Sequence, residues 1–436
     1  MPVTSSLLNG NSVSKNELPF IKNAVVNLTG SFNGKRTTLG IDNDILSKHM
    51  LLVGGTGCGK TTLFYHFVDQ IRKRMTDDDV MIIFDSKGDF YSKFFRAGDV
   101  LIGNSKQYAG TSAHWNIYKE ILADGMEESD FILNAQEICK SFFEERVKKT
   151  TNAFFPNAAR DLLAAIMIAV VRAGKQDRTL MGEIFYNDEL KALLDTCNAA
   201  KIIDILADYP DLASVLSYID VEGSQTQGVL SEMFSVVREI FIGVFAGHGR
   251  FSMRNFVREK GNKTLFIEYD LSIGSVLIPV YRLMFDLALK EALGRSRVQG
   301  NVYLVCDEFK LLPHLQHIDD GVNFGRSLGV KVMAGIQSIE QLFEIYGQSR
   351  GKNIAAGFSS IFAFRANDVS TRDYISSLFG KNIVLEQYQT LDNKYIEEKR
   401  IGSTVEDWDM NSLNVGEAIV GLPFSQPFKY YFDVYK

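Results

Sequence analysis

Residues Gly54-Gly55-Thr56-Gly57-Cys58-Gly59-Lys60-Thr61 match G-x-x-x-x-G-K-[ST] at every fixed position. They follow the apolar run Leu51-Leu52-Val53 and precede a helix-period stretch from Thr61 to about Arg74. This limits the fold sharply. Glycines let the backbone curl until successive amide N–H groups face one concave anion site, and the next helix adds its N-terminal dipole. Lys60 then reaches the outer phosphates, and Thr61 offers a hydroxyl to magnesium. With Thr62, the cradle comprises Gly55, Thr56, Gly57, Cys58, Gly59, Lys60, Thr61 and Thr62.

From Val25 to about Trp115 strands alternate with helices, with further strands at Val80–Phe84 and Val100–Ile102. Such alternation predicts a parallel sheet covered on both faces. From Ile117 to Arg250 the pattern changes to helix formers, with apolar residues three and four apart, as in ARDLLAAIMIAVVRAG. Alternation then resumes, with strands expected at Thr264–Tyr269, Val302–Cys306, Val330–Ile336 and Ile361–Phe364. Two C-terminal strands turn at the Pro423–Pro427 segment. The expected fold is α/β, a RecA-like P-loop nucleotide-binding domain with a twisted, mostly parallel sheet and an inserted all-α domain. Its divisions are a mobile tail at 1–20, nucleotide-binding parts at 21–116 and 251–436, and the helical insertion at 117–250.

A P-loop needs an acid at a neighbouring strand tip. Asp85, in MIIFDSKGDF, follows the strand after the P-loop helix and could equally cap the DSKG turn. The pair Asp307-Glu308, in NVYLVCDEFK, is better equipped: Asp307 orients the metal and Glu308 polarises the attacking water. Gln337, at the end of an apolar strand, reads alone as a helix-cap neighbour and beside the acid pair as a group that could sense the outermost phosphate or orient water. Arg326, in the connection FGRSLGV, reads alone as a solvated charge and beside the nucleotide motifs as an arginine finger for an adjacent subunit. Cys58, at a helix N-terminus, is expected to carry a lowered thiol pKa.

The net charge of −6 excludes a uniformly basic nucleic-acid coat but not a local basic channel. Arg146, Lys148, Lys149 and Arg160 cluster with Phe142, Phe143, Phe154 and Phe155. That interleaving suits single strands, and equally an amphipathic helix with a solvated basic face. Four scattered cysteines without a CxxC pair fit a reducing cytosol. The apolar run Leu162–Val171 falls short of the ~20 residues that span a bilayer.

The pieces GGTGCGKTT, DSKGDF, HWNIYKEI, LVCDEFKLLP, GRSLGVKVMAGIQSIEQLFEIYG and SSLFGKN together resemble the TraG/TraD-type coupling proteins of type IV secretion systems, within the FtsK/HerA group of ring ATPases. The resemblance covers about Val25 to Lys381. It implies ATP and Mg2+ as cofactors and a homo-hexamer, assembled on substrate in some members, with ATP sites between subunits. Single-stranded DNA with its relaxase, or a secreted protein, would be its cargo, and the type IV secretion channel its partner. By position, Lys60 and Thr61 would bind nucleotide, Asp307 would orient the metal and Glu308 would catalyse. Arg326 would be the trans finger and Gln337 the sensor. Members usually begin with membrane helices, and none is legible here. The expectation is therefore a cytoplasmic protein, peripheral to the membrane through a separate anchor partner. A nucleotide-gated docking platform and a HerA/FtsK-like DNA motor outside secretion are the alternatives.

Overall fold

The structure, a computed structural model, describes residues 4–15, 17–177, 185–219, 223–294, 300–389, 392 and 394–436. In chain order the strands are β1 (Thr4–Asn9), β2 (Val26–Phe32), β3 (Lys35–Ile41), β4 (Met50–Val53), β5 (Val80–Asp85), β6 (Val100–Ile102), β7 (Lys263–Glu268), β8 (Val302–Cys306), β9 (Val330–Ile336), β10 (Ser360–Phe364), β11 (Lys381–Gln389), β12 (Tyr395–Ser403), β13 (Glu417–Gly421) and β14 (Phe428–Phe432). The chain divides into two compact units, one of Met1–Phe84, Arg295–Leu311 and Ile318–Lys436, the other of Asp85–Gly294 and Leu312–His317.

In the first unit the main sheet runs β3-β2-β14-β13-β10-β4-β9-β8-β5. The stretch from β10 to β5 is parallel, with Leu51 opposite Ile361 on one side and Ala334 on the other. Residues of β4, β8, β9 and β10 are buried throughout. Continuous apolar runs such as MLLV and VYLVC arise because helices cover both faces of such strands. The remainder, β13, β14, β2 and β3, pairs antiparallel, and β2 alternates buried and exposed residues as a one-sided strand does. The strand tips thus align behind one helix, Lys60–Arg72, which buries Leu63, Phe64, Phe67, Val68 and Ile71 at spacings of three and four.

The expected mobile tail is corrected in part. Thr4–Asn9 form β1, antiparallel to β11, which also pairs with β12. Every residue of β1 is exposed. Backbone pairing to a hairpin edge, which leaves no apolar pattern, holds the strand there.

The second unit pairs β6 with β7 in parallel and is otherwise built of helices. Glu128–Lys149, Phe154–Gln176, Ser224–Ile240 and Gly274–Leu293 are the longest. Between residues 117 and 250 the described residues form helices and no strand. Phe154–Gln176 is the one helix among the described residues long and apolar enough to cross a membrane, and it is mostly buried within the fold. The HWNIYKEI segment is a polar clasp. The Asn116 side chain donates to the carbonyls of Phe185 and Gly249, and that of Asn187 to the carbonyls of Trp115 and Phe245. Glu120, fully buried, accepts from the Trp115 indole, the Ser252 hydroxyl and the Arg254 N–H. Burial pushes its carboxyl pKa up while these donors pull it down. The segment therefore ties the entry of the helical stretch to its exit.

Candidate functional site: the P-loop and its neighbouring strand tips

The loop after β4 takes left-handed backbone at Gly57 (φ 76°) and Gly59 (φ 115°), conformations an L side chain resists. Thr56 and Gly57 are exposed, whereas Lys60 is buried, its ammonium donating to the carbonyls of Gly54 (2.5 Å) and Gly55 (3.1 Å). Thr62 is half-buried on the first turn of the helix.

Because β4 lies beside β9 and β9 beside β8, the loop and two further strand tips share one edge. Asp307 and Glu308 follow β8 directly, and Gln337 follows β9. The Thr61 hydroxyl donates to Asp307 Oδ2 at 2.9 Å. The Gln337 amide donates to Glu308 Oε2 at 2.9 Å, and its carbonyl oxygen accepts from the Thr56 hydroxyl at 3.4 Å. Glu308 Oε1 is buried with no hydrogen-bond partner among the described residues. The fold thus gathers Thr56, Thr61, Asp307, Glu308 and Gln337 on one edge. A hydroxyl beside a carboxylate is a hard-oxygen donor set, chemistry that fits magnesium shared with phosphate oxygens.

Two other sequence candidates make contacts of their own. Arg326 sits on the turn Gly325–Leu328, about half exposed, and its guanidinium pairs with Asp44 at 2.8 Å. Asp44 also pairs with Lys48 and its carboxyl pKa is lowered, first by the Lys48 hydrogen bond. Asp85 is buried in the second unit and accepts from the Tyr91 N–H at 2.8 Å and the Lys87 N–H at 3.4 Å, so its carboxylate closes the DSKG turn. Burial raises its pKa to about 6.

The Cys58 expectation is corrected. The thiol is buried, and desolvation raises its pKa, outweighing the nearby Lys60 charge. Among the basic residues weighed for nucleic acid, Arg146 pairs with Glu232 and Glu239, Lys148 with Glu144, Lys149 with Glu145, and Arg160 with Asp161. Phe142 and Phe143 are core. The interleaving is that of an amphipathic helix.

Sequence reading missed Gly335 in β9. A Cβ there would lie 2.2 Å from the Asp307 carbonyl oxygen and 3.1 Å from the Phe64 ring. The signal was present, since a glycine inside an apolar strand marks close backbone approach. It also missed the segment after β10, where the Arg365 carbonyl accepts the Gly55 N–H at 2.9 Å.

The fold and this edge define a P-loop protein of the RecA-like α/β class. The family model for the type IV secretion-system coupling protein DNA-binding domain matches residues 35–412, and the chain belongs to that family. Coupling protein TraD of Escherichia coli (strain K12) is 23% identical over 362 residues, 80% of this chain and 46% of TraD. The chain therefore spans about half the length of that relative. The bacterial conjugative coupling protein TrwBdeltaN70 aligns in its trigonal form with sulphate at TM-score 0.74 and 21% identity, covering 99% of this chain and 94% of that chain. TrwB with the non-hydrolysable ATP analogue ADPNP aligns at TM-score 0.72 and 21% identity, over 99% and 95% of the two chains. VirB4 of Thermoanaerobacter pseudethanolicus aligns at TM-score 0.57 and 15% identity, over 96% and 98%. These likenesses carry the fold.

Proposed function

We propose that the chain is a magnesium-dependent ATPase that drives type IV secretion coupling as a homo-hexameric ring, moving single-stranded DNA with its relaxase, or a secreted protein, toward the channel. The observation that supports the ATPase part of this reading is the acid pair: Glu308 has one carboxylate oxygen held by Gln337 and the other buried with no hydrogen-bond partner among the described residues, beside the Thr61–Asp307 contact. A fixed carboxylate with a free lone pair is what a general base needs to orient and deprotonate a water attacking the outermost phosphate. Thr61 and Asp307 would hold magnesium, which on binding offsets phosphate charge. Lys60 would leave its loop carbonyls for the outer phosphates, Gln337 would position Glu308 and report the outermost phosphate, and the loop amides would orient the chain of phosphates.

Arg326 is assigned as a finger for the neighbouring subunit's ATP. An exposed guanidinium paired only at the surface is available to a partner, because such pairs contribute about 0–1 kcal/mol. The helical segment 117–250 is assigned to cargo selection, flanked by nucleotide-binding parts at 21–116 and 251–436, and a separate membrane protein to anchoring at the inner face of the cell membrane. The family membership and the bound ADPNP and ADP–Mg2+ of TrwB support the nucleotide reading. The test is ATP hydrolysis by wild type and Glu308→Gln alongside ATP binding: turnover should be lost and binding kept. Equal turnover in both removes Glu308 from catalysis.

A further inference from the structure

We infer that the turn Asn414–Val415–Gly416–Glu417 forms the nucleobase edge of the nucleotide site, with the Val415 side chain packing on the purine face; this rests on the nucleotide reading above. The loop has two distinguishable ends. At one, Thr56 meets Gln337 and through it Glu308, so the outermost phosphate belongs there. A triphosphate lying along the loop sends its ribose and base out on the opposite side, past the stretch Cys58–Thr62. There the Cys58 carbonyl accepts the Gly416 N–H at 2.9 Å.

The approach is close by design of the sequence. A Cβ on Gly59 would stand 3.3 Å from both Gly416 Cα and Gly416 N. Gly416 itself has φ 84°, at the third position of a turn closed by the Glu417 N–H to the Asn414 carbonyl at 3.0 Å, where a positive φ favours glycine. The Phe432 N–H donates to the Gly416 carbonyl at 2.8 Å, fixing the turn to β14. The platform is therefore rigidly registered to the loop from two sides.

The turn's polar side chains are already engaged. The Asn414 amide donates to Glu417 Oε2 at 2.9 Å, and the same carboxylate pairs with Lys429 at 3.0 Å. What remains at the tip is Val415, 71% exposed. An apolar side chain offers a purine dispersion and dehydration but no hydrogen-bond code. The edge should thus hold adenine and guanine alike.

Titration calorimetry of the full chain with ATP, GTP and inorganic tripolyphosphate tests this. Val415→Ser should weaken ATP about three- to fivefold, the scale of losing part of a valine's apolar contact, and Val415→Trp should tighten it. Neither should move tripolyphosphate, and GTP should bind within about threefold of ATP. Unchanged ATP affinity in both variants overturns the inference, as does ATP and tripolyphosphate affinity shifting together. So does a preference between the purines above about tenfold. Wild type binding neither ATP nor tripolyphosphate would instead overturn the nucleotide reading itself.

Discussion

The Thr61 hydroxyl lies 2.9 Å from the Asp307 carboxylate, joining the P-loop helix to the tip of a strand that begins some 240 residues later. That contact brings a hydroxyl and a carboxylate together, and Glu308, the next residue, is held in turn by the Gln337 amide.

Removing the base should separate binding from turnover. Glu308→Gln is expected to lower the hydrolysis rate by about 10²–10⁴-fold, the usual contribution of general base catalysis, with ATP affinity within a few-fold of wild type. Gln337→Ala, which frees Glu308 Oε2, should lower the rate less and raise KM little. Steady-state kinetics and nucleotide titration read both.

Gly335→Ala should disturb the acid pair without touching it chemically. The added methyl would lie 2.2 Å from the Asp307 carbonyl oxygen, so β8 and β9 must part. A stability loss of about 1–3 kcal/mol is expected, with a raised magnesium requirement for hydrolysis. Thermal unfolding and a magnesium titration check it, and an unshifted magnesium dependence would mean that Asp307 does not hold the cation.

Arg326→Ala should change thermal stability little, because its pair with Asp44 is exposed. Hydrolysis should nevertheless collapse, as expected when a finger that stabilises the transferring phosphate is lost. Mixing Arg326→Ala with Lys60→Ala should restore part of the rate, since some sites then combine an intact loop with a neighbour's arginine. Mixtures as inactive as their components would place Arg326 outside a shared site.

Alkylation should pass over the P-loop thiol. Burial raises the pKa of all four thiols, but Cys58, Cys139 and Cys306 are buried, whereas Cys197 is half-buried and open to reagent. Iodoacetamide at pH 8 should therefore label Cys197 first, with the other three reacting only on unfolding. Mass spectrometry of the native chain reads the order.

A clasp beyond the acid pair should weaken as pH rises. The N–H groups of Gln316 and His317 donate to Asp286 Oδ1, and the His317 ring meets Glu137, which Lys290 also pairs. Burial raises Asp286 to about 6, and the Glu137 hydrogen bond raises His317 above its usual value. Both groups hold protons more tightly folded than unfolded. Asp286 therefore loses stability as pH climbs from about 4 to about 6, and His317 loses its share as pH rises through its folded pKa. The stability gap between wild type and Asp286→Asn should shift in favour of Asn from pH 5 to pH 8, measured by thermal unfolding.

Most of the edge that gathers Thr56, Thr61, Asp307, Glu308 and Gln337 was legible in sequence because its parts are local. A P-loop, a strand ending in Asp307-Glu308 and one ending in Gln337 each carry their own pattern, and parallel packing aligns the tips. What escaped reading depends on tertiary contact. The strand at Thr4–Asn9 is exposed throughout and carries no period. Cys58 sits at a helix start, where the dipole lowers a thiol's pKa, yet burial reverses the sign. The charges around Arg146 find partners up to 93 residues away, which no local window reveals.

The most direct test is ATP turnover by wild type with and without single-stranded DNA. A DNA-driven motor predicts hydrolysis that rises several-fold on adding DNA and vanishes in Lys60→Ala. ATP that binds but turns over at one slow rate regardless of DNA would contradict the motor and leave a nucleotide-gated docking platform as the account of this chain.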